Sequence, residues 1–121
     1  MVRQGLRAVL ESYPDVEVVG EAGNGEEAVE YVGRLQPTIV VMDINMPKMN
    51  GIKATAQITS RFSDIIVIGL SVQAGNENEV AMRNAGASML LTKEAAVEEL
   101  YKAIRESLDL RLKGNVLSAD S

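Results

Sequence analysis

Apolar residues along this chain alternate between two rhythms. Val2, Leu6, Val9, Leu10 and Tyr13 recur at helical spacing until Pro14-Asp15, which predicts an amphipathic helix over 2–13. Val16 to Ala22 (VEVVGEA) reads as a short strand, turned by Gly23-Asn24-Gly25. Asn24 and Glu27 have capping-box spacing for a helix running to about Gln36, with Ala28, Val32 and Leu35 inward and Pro37 closing it. Ile39 to Met42 then run without a polar break into Asp43, the signature of a buried parallel strand, and Pro47 and Gly51 prevent its continuation.

The alternation continues through the second half. Ile52, Thr55, Thr59 and Phe62 mark a helix over 51–62, and Ile65 to Leu70 a buried strand ending in Ser71. Residues 76–85 read as a helix with Val80 and Ala81 inward and Gly86 as its C-cap. Ser88 to Leu91 form a last short strand that leads into Thr92-Lys93, and Val97, Leu100, Tyr101, Ile104 and Leu108 mark the longest helix, over 95–111. The order α-β-α-β-α-β-α-β-α calls for one α/β domain over 1–112, a parallel sheet with helices on both faces. The polar segment 113–121 reads as a C-terminal tail or the start of a linker.

Composition narrows the function. The chain is 46% hydrophobic and 24% charged, enough for one core. A net charge of −5 argues against nucleic-acid contact by this domain, since phosphate backbones need clustered Lys and Arg. No apolar run approaches the ~20 residues of a membrane span, and the first residues lack the apolar core of a secretory signal. The absence of cysteine fits a reducing, cytoplasmic setting, and the absence of histidine removes one common general base and the usual phosphohistidine donor. Any phosphate that moves here is received by this domain.

Asp43, Ser71 and Lys93 each follow the apolar run of a different strand, so a parallel sheet gathers them at its carboxyl edge, where ligands collect in open α/β folds. A carboxylate, a hydroxyl and an ammonium suit phosphoryl transfer: the first attacks phosphorus, the others hold phosphoryl oxygens. Taken singly, Asp43 reads equally well as a loop or helix cap, Ser71 as a cap and Lys93 as a solvated charge; their coincidence is what favours chemistry. Pro47 stiffens the following loop, and Asn45 offers a backbone carbonyl beside the acid.

DINMPKMNG around Asp43, LSVQAG around Ser71 and LLTKE around Lys93 resemble the three signatures of the receiver domains of bacterial two-component response regulators. The resemblance implies a flavodoxin-like doubly wound sheet of order 2-1-3-4-5. It further implies that Asp43 takes a phosphoryl group from a sensor histidine kinase or histidine phosphotransfer domain, with Ser71 and Lys93 holding it. Mg²⁺ would sit on Asp43, the Asn45 carbonyl and an acidic pair after the first strand.

That strand and its acidic pair are absent: residues 1–5 already look like the first helix. In the implied order the missing strand is central, between 16–22 and 38–43. Three routes are open: a truncated reading, a strand taken from a partner by exchange or in a homodimer, or direct pairing of the two flanking strands. Mg²⁺ binding is expected to be weak. Leu90 stands where the family often has an aromatic, and Val72 is bulkier than the Ala common beside the hydroxyl.

Two other readings remain. A haloacid-dehalogenase-like phosphatase needs a second Asp two residues after the nucleophile, and Asn45 there cannot transfer protons, which favours a switch over an enzyme. A degenerate receiver would act as a phosphate-independent binding module.

Overall fold

A computed structural model of the chain describes residues 2–45, 48–72, 75–108 and 114–119. The helices are α1 (Val2–Glu11), α2 (Gly25–Leu35), α3 (Gly51–Arg61), α4 (Asn76–Asn84) and α5 (Lys93–Leu108). The strands are β1 (Val16–Ala22), β2 (Ile39–Asp43), β3 (Ile66–Ser71), β4 (Met89–Thr92) and β5 (Gly114–Ala119). All pair in parallel, in the order β1-β5-β2-β3-β4. This is the flavodoxin-like fold of receiver domains.

Period-two side chains of β2 sort the two layers. Val40 and Met42 face Ala28 and Val32 of α2, Ala54 and Ile58 of α3 and Met82 of α4. Ile39 and Val41 face Leu10 of α1 and Ala96, Leu100 and Ile104 of α5. Every residue of β2 is buried, which is why its sequence carries no polar alternation before Asp43. On the α1/α5 side, Tyr13 stacks on Tyr101 with ring centroids 3.7 Å apart. The Tyr101 hydroxyl donates to Asp15 at 2.7 Å, and Arg105 pairs with the same carboxylate at 3.2 Å. Together these tie the turn after α1 to α5.

The segment 113–121, read above as a tail, is corrected by the structure: Gly114–Ala119 form β5 in the centre of the sheet. Val16↔Gly114 through Ala22↔Ala119 pair on one side and Ile39↔Val116 through Met42↔Ala119 on the other. The place between β1 and β2, where the resemblance puts the family's first strand, is occupied by residues 114–119, and β1 does not pair directly with β2. The physical reason is backbone satisfaction. Without β5 the inner N–H and C=O groups of both β1 and β2 would lack partners in the interior. The run GNVLSA has only two large aliphatics, too few to announce a strand by pattern. Smaller differences are at boundaries: α1 stops at Glu11, two residues before the expected end, and α5 begins at Lys93, without a loop.

Candidate phosphoacceptor site

β2, β3 and β4 end together. Asp43 stands in register with Leu70, and Ser71 with Thr92, so the three strand ends form one edge. Asp43 is fully buried and Ser71 is 1% exposed. The Lys93 ammonium approaches Asp43 Oδ2 at 2.6 Å, while the Asn45 backbone N–H donates to Oδ1 at 2.9 Å. Lys93 reaches the acid because Thr92 caps α5, its hydroxyl accepting from the Ala95 N–H at 3.1 Å, so the helix starts on the last strand residue. Sequence reasoning passed over Thr92; the Thr-Lys-Glu-Ala spacing was the available signal. Taken singly Lys93 reads as a solvated charge, but its side chain is 17% exposed against a carboxylate at 0%. A lysine lying along the first turn of a helix, over a buried acid, is sheltered by the edge that it serves.

Backbone approach fixes the loop after Asp43. Gly51 donates its N–H to Ile44 C=O at 3.1 Å, and a Cβ there would stand 2.3 Å from Asp43 C=O. Only glycine lets α3 start so close to the acceptor strand. From the other side a Cβ on Gly25 would lie 2.0 Å from Met49 C=O, so the start of α2 clamps the same loop. Asn50 caps α3, its side chain accepting from the Lys53 N–H at 2.9 Å. Pro47 lies outside the described residues.

Asn45 is exposed and its N–H rather than a carboxylate meets Asp43. Val72 is 64% exposed, so its side chain does not fill the pocket. Leu90 is half-buried and packs against the α2–α4 core, where a Cβ on Gly69 would meet its Cδ1 at 2.8 Å. The site therefore gathers Asp43, Asn45, Ser71 and Lys93, while Val72 and Leu90 lie beside it, outward and inward respectively.

A divalent ion meets an incomplete donor set here. Mg²⁺ takes six oxygens at ~2.1 Å, commonly one or two carboxylates with waters and phosphate oxygens. Among the described residues no group of three or more acidic, histidine or cysteine side chains gathers. Among the described residues the ends of β2, β3 and β4 contribute one carboxylate, already engaged by an ammonium and an amide. Receiver domains of this kind generally bind Mg²⁺ in an acidic pocket; the described residues do not reproduce that pocket.

A family profile for the response regulator receiver domain matches residues 1–105. The chain belongs to that family. The transcriptional regulatory protein LiaR of Bacillus subtilis is 39% identical over 98% of this chain and 59% of its own length. The response regulator UvrY of Escherichia coli is 38% identical over 87% of this chain and 48% of its own. Among solved structures, the response regulator domain of Thermotoga maritima CheB superposes with a TM-score of 0.82 at 31% identity, covering 90% of this chain and 89% of that one. The chain spans about half the length of the curated relatives it matches. It is thus a receiver domain of the two-component type, a signalling module whose family is typically phosphorylated and switches partners. No described helix is long and apolar enough to cross a membrane.

Proposed function

We infer that Asp43 is the phosphoacceptor, and that the receiver takes its phosphoryl group from a phosphohistidine on a sensor kinase or phosphotransfer domain. The observation that carries this reading is the 2.6 Å contact of Lys93 with a fully buried Asp43, one strand away from the buried Ser71. An Asp43 oxygen attacks phosphorus and forms the acyl P–O bond. The P–N bond to the imidazole breaks, its electron pair leaving with the ring. Lys93 then neutralises charge on the transferred group and the Ser71 hydroxyl donates to one of its oxygens. If bound, Mg²⁺ would be held by Asp43 and the Asn45 carbonyl and would supply positive charge to the phosphoryl oxygens.

Asn45 supports a long-lived product. With no acid or base two residues after Asp43, water has no side chain there to activate it, which argues against the phosphatase reading. LiaR is named a transcriptional regulatory protein, and we extend that class of output to any longer protein that carries this domain.

Incubation with acetyl phosphate, followed by intact mass and peptide mapping, tests the assignment. The expected product is a single hydroxylamine-labile phosphoryl group on Asp43. Steady release of free phosphate would indicate a phosphatase, and absence of incorporation a phosphate-independent binding module.

A further inference from the structure

Tyr13 and Asp15, in the turn after α1, meet Tyr101 of α5 in a cluster that the phosphoacceptor chemistry does not use. The two rings lie face to face, their centroids 3.7 Å apart and their planes 10° from parallel. Aromatic pairs ordinarily settle offset or edge to face with centroids ~4.5–7 Å apart, so this pair is closer and flatter than ring electrostatics alone would select. Asp15 is what holds it. Its Oδ2 accepts from the Tyr101 hydroxyl at 2.7 Å and pairs with Arg105 at 3.2 Å, and it follows Tyr13 closely in the chain.

Stacked phenols beside a carboxylate are arranged for one-electron oxidation. Loss of an electron makes a phenol strongly acidic, so a ring is easiest to oxidise where a base already holds its proton. Tyr101 rests as the neutral phenol, its pKa raised by the bond to Asp15 and by burial. Asp15 Oδ2 is therefore placed to receive that proton as the electron leaves. The other oxygen, Oδ1, is buried without a hydrogen-bond partner, so the carboxylate takes up the proton without giving up a bond there. Composition directs oxidation to the same place. The chain has neither cysteine nor tryptophan, the side chains that compete most readily with tyrosine for an electron hole. Of its three tyrosines, Tyr31 packs in the other layer with the Arg34 guanidinium 5.5 Å from its ring centroid, and a cation there opposes loss of an electron. Tyr13 and Tyr101 are both half-buried, so an oxidant reaches their outer edges while the stack stays closed.

We propose that Tyr13 and Tyr101 form a paired modification site, which an outer-sphere one-electron oxidant converts to an intrachain dityrosine. Each ring gives one electron to the oxidant and loses its hydroxyl proton, Tyr101 to Asp15 and Tyr13 to water. The two phenoxyl radicals then join by a C–C bond between carbons ortho to the oxygens. The hydrogens on those carbons move to the oxygens and restore both phenols, so two electrons and two protons leave for each bond made. Face-to-face rings suit this step, since each bonding carbon is approached along its π orbital. The product ties the turn after α1 to α5, the helix that begins with Lys93, and so fixes the element that presents the ammonium to Asp43.

The test oxidises the dilute chain with photogenerated ruthenium(III) tris-bipyridine, persulfate serving as the terminal electron acceptor. The expected product is a monomer lighter by two hydrogen atoms, with dityrosine fluorescence and a linked peptide pair containing Tyr13 and Tyr101. In the urea-unfolded chain the yield should fall about tenfold or more, because the rings are no longer held together. Tyr31→Phe should leave the yield unchanged, and Tyr101→Phe should abolish the link. Asp15→Asn, shown to be folded by circular dichroism, should form the link more slowly and lose the rate difference between H₂O and D₂O that the parent shows. Equal yields from folded and unfolded chains, or a linked pair that includes Tyr31, would overturn the proposal. An unchanged rate and isotope effect in Asp15→Asn would overturn the part given to Asp15.

Discussion

β2, β3 and β4 meet in register without interruption, their inward residues almost all large aliphatics, and they deliver Asp43, Ser71 and Thr92-Lys93 to one edge. β1 and β5 meet across an irregular ladder, and β5 buries a serine hydroxyl with no partner. The chemistry is therefore mounted on the half of the sheet that local sequence specifies strongly. The other half is assembled from a strand near one end of the chain and a strand at the other. β5 joins the halves through its backbone, which satisfies the inner ladders of β1 and β2, and through Val116 and Leu117, which are buried one in each core.

Substitutions at the chemical half should have the larger effects. Asp43→Asn removes phosphoryl incorporation altogether, because an amide cannot form the acyl phosphate; acetyl phosphate labelling followed by mass measurement checks this, with circular dichroism to establish that the variant is folded. Labelling at the parent level would put the acceptor elsewhere.

Lys93→Ala comes next. It leaves a fully buried carboxylate without its cation, a loss of about 3–5 kcal/mol for buried pairs, nearer the lower figure because the Lys93 side chain retains some solvent. Urea denaturation measures it, and adding Asp43→Asn should restore part of the loss, since the stranded charge is then gone. A loss under about 1 kcal/mol would return Lys93 to the class of solvated surface pairs.

Ser118→Ala should act in the opposite direction. Alanine removes the orphaned hydroxyl without adding volume at a fully buried position, so stability rises by about 1 kcal/mol or more, read as a higher urea midpoint with unchanged slope. Destabilisation would mean that the hydroxyl is satisfied in solution.

The smallest effect belongs to Tyr101. Its hydroxyl donates to Asp15, which favours the neutral phenol; burial and the Asp15 charge act in the same direction, so its pKa lies above the ordinary value. A raised folded pKa means that the contribution is present below pH ~10 and is lost as pH rises through the folded value. Tyr101→Phe should therefore lower stability slightly at neutral pH, where the hydrogen bond to Asp15 is made, and flatten the alkaline limb of the stability profile. An unaltered alkaline limb would remove Tyr101 from that account.

The chemical half was legible in the sequence for a physical reason. Ile39 to Asp43 and Ile66 to Ser71 are buried on both faces and Met89 to Thr92 is half-buried at the edge, yet each strand is an apolar run with a polar residue where it ends. Asp43, Ser71 and Lys93 were visible because topology alone brings strand ends together. Three things were not visible. β5 carries Val116 and Leu117 between a glycine and a serine, and its place depends on vacant ladders elsewhere in the sheet, which no local pattern records. The depth of Lys93 depends on Thr92 capping α5 where the strand stops. The close approach of Gly25 to Met49 joins two segments distant in sequence, and a glycine in a turn signals its neighbours poorly.

Native-state amide hydrogen exchange over β5 tests most directly whether the C-terminal segment completes this receiver. The structure predicts strong protection of the Val116 and Leu117 amides, approaching but not equalling that of Val40 and Val41 in β2, because β5 is the less securely held of two central strands. Exchange of Val116 and Leu117 at the rate of an open chain, with β2 still protected, would contradict it: residues 114–119 would then be a tail, and the slot between β1 and β2 would be filled in some other way.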